Sequence, residues 1–126
     1  MSFIIIVLIS AIVFLTLLYL FFPEQIVLLM RWLMRQRARV ERKTVTVDGR
    51  TWPYLEGGDP SKPTLVMVHG FGADKDHWTF YAPWLTKDYR LIAPDLPGFG
   101  ENDRDGELPF DVGSQAARLK GFLDAL

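Results

Sequence analysis

An apolar run that ends in a glycine-rich loop constrains the fold of this chain more than any other stretch. Residues 65–68 read Leu-Val-Met-Val, and His69, Gly70, Phe71 and Gly72 follow directly. Four successive apolar residues predict a buried strand covered on both faces, as in a parallel sheet. The two glycines allow positive φ and close approach beside Phe71. Such a loop can aim backbone N–H groups at a developing negative charge, as in an oxyanion hole; an ordinary glycine turn is the alternative.

The segments after this loop predict alternating helices and strands. A helix is expected from Asp76, its N-cap, to Leu85, with Pro83 bending it. A second strand is predicted over 90–93, and Asp111 is expected to cap a final helix. The apolar stripe of that helix is predicted at Val112, Ala116, Leu119, Leu123 and Leu126. Strand, helix, strand and helix in this order predict parallel βαβ units.

An antiparallel hairpin is predicted before the apolar run. Residues 44–47 alternate at period two, Asp48-Gly49 supplies a turn, and 51–56 return as a second strand. Pro53 lacks an N–H, so the return strand is expected at a sheet edge or at a bulge.

The N-terminal segment predicts a membrane anchor over residues 1–23. Residues 3–22 carry no charge, and a helix of this length spans the hydrocarbon core of a bilayer. A cleaved signal peptide is the rival interpretation, but no basic residue precedes the run and no small-x-small site follows it. No Lys or Arg stands before Phe3, whereas six follow within residues 31–43, so the C-terminal domain is predicted to be cytoplasmic in a single-pass membrane protein.

The two segments that follow the predicted anchor, residues 24–43 and 44–126, carry charge of opposite sign. Residues 24–43 predict a basic amphipathic juxtamembrane helix held partly by anionic membrane lipid, with a solvated basic linker as the alternative. Residues 44–126 hold 8 basic and 13 acidic side chains, a net charge of −5, which argues against nucleic acid as a partner. The chain has no cysteine and two histidines, so neither a disulfide nor a metal site is expected.

Three motifs in order resemble one known family. His-Gly-Phe-Gly at 69–72, Trp78, and Asp95-x-x-Gly98-x-Gly100 resemble the N-terminal half of the α/β-hydrolase fold, over about residues 42–126. The likeness is to lipases and esterases of the monoacylglycerol lipase type, including membrane-anchored members. It implies an α/β fold class, namely a partial α/β-hydrolase fold over 44–126 with an antiparallel hairpin and then parallel βαβ units. Gly72 leans toward ester or carbon–carbon bond hydrolases, because epoxide hydrolases and dehalogenases usually show proline nearby.

The resemblance also implies roles for individual residues. The backbone N–H of Phe71 would donate to the oxyanion, and its side chain would line an acyl pocket near Trp78. The loop-shaping and substrate-binding set is His69, Gly70, Gly72, Trp78, Asp95, Gly98 and Gly100. The implied substrate is a lipid-derived ester reaching the enzyme from the bilayer, with no cofactor.

The nucleophile motif of the family is missing from the sequence. None of the serines, Ser2, Ser10, Ser61 and Ser114, lies in Gly-x-Ser-x-Gly, and the family's acid and base follow that motif. We therefore expect the N-terminal portion of a serine ester hydrolase, truncated before the nucleophile and unable to hydrolyse esters alone. The alternatives are a non-enzymatic membrane protein with a hydrolase-like half, and a fragment of an epoxide hydrolase or dehalogenase, whose nucleophile is Asp.

Overall fold

The structure is a computed structural model that describes residues 2–126 and divides into two compact units, Met1–Leu33 and Met34–Leu126. Met1, the first residue of the predicted anchor segment, lies outside the described residues. The first unit contains helix α1, Phe3–Phe21, and the start of helix α2, Pro23–Ala38. Helix α1 is long and apolar enough to cross a membrane. Pro23 occupies the first position of α2, where its missing N–H costs nothing.

The second unit is built on a four-stranded sheet. Its strands are β1 (Val40–Val47), β2 (Arg50–Gly57), β3 (Thr64–Val66) and β4 (Arg90–Pro94), in the spatial order β1-β2-β4-β3. The β1–β2 and β2–β4 pairs are antiparallel, and the β3–β4 pair is parallel. A 3₁₀ helix (Lys75–Phe80) and helix α3 (Ala82–Leu85) connect β3 to β4, and helix α4 (Val112–Asp124) follows. This confirms the predicted α/β class, with a hairpin before a parallel unit.

The opening hairpin forms where the sequence predicts it. Asp48 and Gly49 have φ values of 49° and 75°, the left-handed conformation that a tight two-residue hairpin turn requires. Strand β1 begins at Val40, four residues before the predicted strand, so the end of the basic segment 24–43 belongs to the sheet.

The expected edge position of Pro53 is wrong, because β2 lies between β1 and β4. Asp95 donates its N–H to the Pro53 carbonyl at 3.0 Å, just beyond the last ladder pair, Tyr54 with Pro94. An antiparallel pair at this point would exchange two hydrogen bonds, and proline supplies only the acceptor. The Asp95 carbonyl instead accepts from the Asn102 side-chain amide at 2.6 Å. A central proline is therefore tolerated because its missing donor falls at the end of the ladder.

Two apolar clusters cover the two faces of the sheet. One comprises Ala38, Val40, Leu55, Ala82, Leu91 and Ala93, and the other Val47, Trp52, Tyr54, Ile92 and Phe122. Alternation along β4 sends Leu91 and Ile92 to opposite faces, as the period of a strand requires. Helix α4 closes the second cluster with Phe122, whose ring stacks on Trp52 at 5.2 Å and meets Tyr54 edge-on at 5.5 Å.

The cap predicted for α4 is confirmed, and the apolar stripe is right only in part, since Leu119 packs against the second cluster. Asp111 accepts from the Ser114 N–H at 2.9 Å. Val112 and Leu123 are exposed, at 87% and 39%, whereas Phe122 is fully buried. The face of α4 that meets the sheet therefore carries Leu119 and Phe122, and the predicted row misses Phe122.

The first predicted strand and helix also differ in detail. Strand β3 spans three residues and is half-buried at the edge of the described sheet, not covered on both faces. The helix begins after Asp74, whose carboxylate accepts from the Asp76 N–H at 2.9 Å, so Asp74 and not Asp76 is the N-cap. Pro83 does not bend one long helix but stands in the first turn of the separate helix α3.

Candidate active site

The loop over residues 69–72 leaves the carboxyl end of β3. The Met67 N–H donates to the Ile92 carbonyl at 2.8 Å and extends the pairing with β4 by one residue. The Phe71 side chain is 97% exposed, and its N–H donates to no acceptor among residues 2–126. Of the two loop glycines, only Gly72 has positive φ, at 76°. The loop thus presents an unused backbone donor at the end of a parallel strand, where ligands bind in open α/β sheets.

The His69 ring connects this loop to the loop that follows β4. Its ring is buried, and the Leu96 N–H donates to Nε2 at 3.0 Å. Nε2 must therefore carry the lone pair, so we assign the proton to Nδ1, which lies 3.0 Å from the Gly70 carbonyl. The ring also meets Phe99 edge-on at 5.3 Å. Both ring nitrogens are therefore engaged, and His69 holds the two loops together.

Asp95 organises the loop after β4. Its buried carboxylate accepts from the Lys75 N–H at 2.7 Å, the Lys75 ammonium at 2.7 Å and the Glu101 N–H at 2.8 Å. A Cβ at Gly100 would lie 2.4 Å from that carboxylate, and one at Gly98 would lie 2.7 Å from the Phe110 ring. Both glycines have positive φ. Glycine is required at both positions, and Asp95 holds the loop through these hydrogen bonds.

A network of ion pairs surrounds Asp95, and sequence reasoning missed it. The Lys75 ammonium is fully buried and also lies 2.9 Å from Glu101. Arg35, on α2, contacts both Asp76 carboxylate oxygens at 2.6 Å and Glu101 at 2.9 Å. The hydrogen bond to Asp76 raises the pKa of Arg35. In the sequence, Asp74-Lys75-Asp76 looks like a solvated linker, and no periodicity marks the lysine as buried.

The network predicts an acid-sensitive stability. Burial raises the pKa of Glu101, but hydrogen bonds from Lys75, Arg42 and Arg35 outweigh it and lower the pKa from 4.5 to about 2. A carboxyl whose pKa is depressed in the folded state stabilises the fold above its unfolded pKa and loses that effect as pH falls. We therefore expect Glu101→Gln to be less stable than wild type at pH 7, with the difference shrinking between about pH 4.5 and 2.

Urea unfolding of the detergent-solubilised chain at a series of pH values would measure this difference. Glu107→Gln is the matched control, since Glu107 is exposed and forms no ion pair within the described part of the chain. A stability difference that stays constant from pH 7 to 2 would contradict the assignment.

An apolar groove of about 330 Å³ opens beside the loop. It is lined by Val68, His69, Gly70, Phe71, Leu96, Phe99, Phe110, Val112, Gln115, Ala116 and Leu119. The structure therefore brings Phe71, His69 and Gly70 to one surface. Trp78, expected near the pocket, instead packs against the cluster that contains Leu55 and Leu91. The groove can hold an apolar chain with its polar end near the Phe71 N–H.

Comparisons with known proteins agree with this geometry. A family model described as alpha/beta hydrolase fold matches residues 63–126. Lipase 1 of Psychrobacter immobilis is 36% identical over 92 residues, covering 72% of this chain and 29% of that lipase. Human monoacylglycerol lipase ABHD6 is 27% identical over 109 residues, covering 86% of this chain and 32% of that enzyme.

Among solved structures, a membrane phospholipase A, described as a novel bacterial virulence factor, superposes with a TM-score of 0.79 at 37% identity. The match covers 99% of this chain and 40% of that protein. The chain thus spans about a third of the length of the curated relatives it matches. The family model covers half of the chain, and the predicted resemblance is confirmed: the chain belongs to the α/β-hydrolase family.

Proposed function

We propose that this chain is the N-terminal portion of a membrane-anchored serine carboxylic-ester hydrolase that acts on lipid-derived esters. One observation carries the proposal: the unused Phe71 N–H stands at the carboxyl end of β3, beside an apolar groove. The names of the relatives, a lipase, a monoacylglycerol lipase and a membrane phospholipase A, support a lipid-like ester as substrate.

The chemistry follows from the position of that donor. A serine oxygen attacks the ester carbonyl carbon as its proton passes to the general base, and the carbonyl oxygen becomes an alkoxide that the Phe71 N–H stabilises by a hydrogen bond. When the tetrahedral intermediate collapses, the alcohol leaves with a proton from the general acid, and water then hydrolyses the acyl-enzyme. The acyl chain would occupy the groove between Phe71 and Phe110.

We place the nucleophile, acid and base of this reaction outside the 126 residues. Two serine hydroxyls of the second unit are engaged locally, Ser61 donating to Asp59 at 2.8 Å and Ser114 to Asp111 at 2.6 Å. Neither lies in the sequence context of a nucleophile elbow. The chain alone is expected to leave p-nitrophenyl butyrate intact.

The test is the DNA downstream of codon 126, followed by an assay of the protein it encodes. We expect an in-frame strand and Gly-x-Ser-x-Gly, and serine-dependent hydrolysis of p-nitrophenyl butyrate by the longer protein alone. A genuine stop codon would overturn the enzyme proposal in favour of a non-enzymatic membrane protein. An Asp in place of the elbow serine would favour an epoxide hydrolase or dehalogenase.

The anchor is a separate part of the proposal. Helix α1 spans 19 uncharged residues and is about 28 Å long at the rise of an α-helix. All its side chains except that of Leu18 are exposed. We propose that it crosses the bilayer and that the six basic residues in 31–43 keep the second unit in the cytoplasm.

Membrane extraction checks the anchor. The intact chain is expected to stay in the membrane pellet through alkaline carbonate extraction, whereas a variant lacking residues 3–21 is expected in the supernatant. Intact mass serves as the control, because a cleaved signal peptide would remove the whole apolar helix. Recovery of a shortened, soluble form of the intact gene product would contradict the anchor.

A further inference from the structure

A second, larger groove of about 910 Å³ lies at the opposite end of the parallel strands from the Phe71 loop. Gly58 and Lys62 line it just before β3 begins, and Thr86 and Lys87 line it just before β4 begins. The other lining residues are Met34, Arg37, Arg39, Thr79, Phe80, Pro83 and Trp84. It shares no lining residue with the apolar groove beside Phe71, so it is a separate surface.

This basic groove concentrates positive charge on a domain of opposite overall sign. Arg37, Arg39, Lys62 and Lys87 line it, and no Asp or Glu does. None of the four forms an ion pair with a carboxylate in the described part of the chain, and the Lys62 ammonium donates only to the Lys87 carbonyl. Residues 44–126 nevertheless carry a net charge of −5. Lys62 interacts electrostatically with Asp59 outside the groove, but within the groove the like charges repel one another.

Two exposed aromatic side chains accompany these cations. Phe80 is 64% exposed and Trp84 is 66% exposed, although both are large and apolar. Aromatic rings beside lysines and arginines are typical of surfaces that lie at the headgroup level of a membrane. A soluble anion would contact the cations without requiring exposed aromatic rings beside them.

We propose that the basic groove docks on the headgroups of anionic phospholipids, with Trp84 and Phe80 in the interface and the four cations on lipid phosphates. The inference rests on the anchor proposed above and on no step of ester hydrolysis. Met34 follows Phe21, the last residue of α1, by 13 positions, so even an extended chain holds the groove within about 45 Å of the anchor. Tethering at this range makes the host bilayer the most concentrated anionic surface available to the groove.

The chain has no cysteine, so a single environment-sensitive probe can report on docking. We would attach acrylodan at Asp88→Cys, an exposed position next to Lys87, and at Ala117→Cys, exposed on α4, as the matched control. The full chain would be placed in nanodiscs of phosphatidylcholine with and without 30% phosphatidylglycerol. We expect a blue shift at position 88 only with phosphatidylglycerol, its loss at high salt, and no shift at position 117.

Charge variants test the contacts directly. Lys62→Gln with Lys87→Gln is expected to abolish the shift at position 88, whereas Lys120→Gln with Arg104→Gln, two exposed cations outside the groove, should retain it. Equal spectra in the two nanodiscs would overturn the proposal. A saturable shift with inorganic phosphate in detergent would also overturn it, by assigning the groove to a soluble anion.

The two proposals fail in distinguishable ways. A chain that does not copurify with nanodiscs disproves the anchor, whereas an absent esterase activity leaves the probe spectra unchanged. Because the groove lies away from the Phe71 loop, Lys62→Gln with Lys87→Gln in the longer protein encoded past codon 126 is expected to leave hydrolysis of a soluble ester within about twofold of that protein's wild-type rate.

Discussion

Replacing Phe71 by proline is expected to lower kcat for p-nitrophenyl butyrate by about 10²–10³-fold in the longer protein encoded past codon 126. This is the range measured when one oxyanion-hole donor is removed. Proline has no N–H, so the substitution deletes the donor that the structure leaves without an acceptor among residues 2–126. The loss should fall on kcat and kcat/KM together, since the hydrogen bond forms fully only with the transition state.

The matched variant is Phe71→Ala, which keeps the backbone donor and removes only the exposed ring. We expect it to change kcat for the short ester by less than about tenfold and to raise KM for long-chain esters, because the ring lines the apolar groove. The preceding residue, Gly70, tolerates the constraint that proline places on its neighbour. Equal kcat values for the proline and alanine variants would remove Phe71 from the oxyanion hole.

Local sequence patterns predict the elements that are stabilised by contacts between residues close together in the sequence. Asp48-Gly49 fixes the hairpin because it combines two left-handed residues with alternating strands on both sides. The Asp111 cap was also predictable, since its partner Ser114 lies three residues away. The resemblance to the family predicts a functional role for the Phe71 loop. The periodicity of the sequence by itself is equally typical of an ordinary glycine turn.

Features that depend on distant partners were not predictable from the pattern. Pro53 sits in a central strand because Asn102, far along the chain, satisfies the Asp95 carbonyl that proline cannot serve. The pattern of α4 does not identify Phe122 as its buried residue, because the Trp52 and Tyr54 rings that contact Phe122 belong to β2. For Pro53 the local pattern predicted an edge strand, and for α4 it predicted a different buried face. Contacts with residues distant in the sequence determined the observed arrangement in both cases.

Lys75 and its carboxylate partners connect these elements to the site. Lys75 follows the Phe71 loop by a few residues, and Asp95 and Glu101 lie in the loop after β4. Arg35 extends the network to α2 through Asp76. His69 joins the same two loops by accepting the Leu96 N–H. The Phe71 loop is thus held at both ends by groups that are buried and paired, which suits a preorganised donor.

Lys75→Met is expected to destabilise the fold by about 3–5 kcal/mol, because it leaves the fully buried Asp95 carboxylate without its cation. Methionine keeps most of the side-chain length, so lost packing contributes little. Urea unfolding of the detergent-solubilised chain, followed by the near-UV circular dichroism to which the Trp52–Phe122 stack contributes, should show a midpoint lowered by at least about 1 M. Lys120→Met is the matched control: its pair with Asp124 is exposed and should contribute at most about 0.5 kcal/mol. If both variants lost the same small amount of stability, Lys75 would not be the ion on which the Asp95 loop depends.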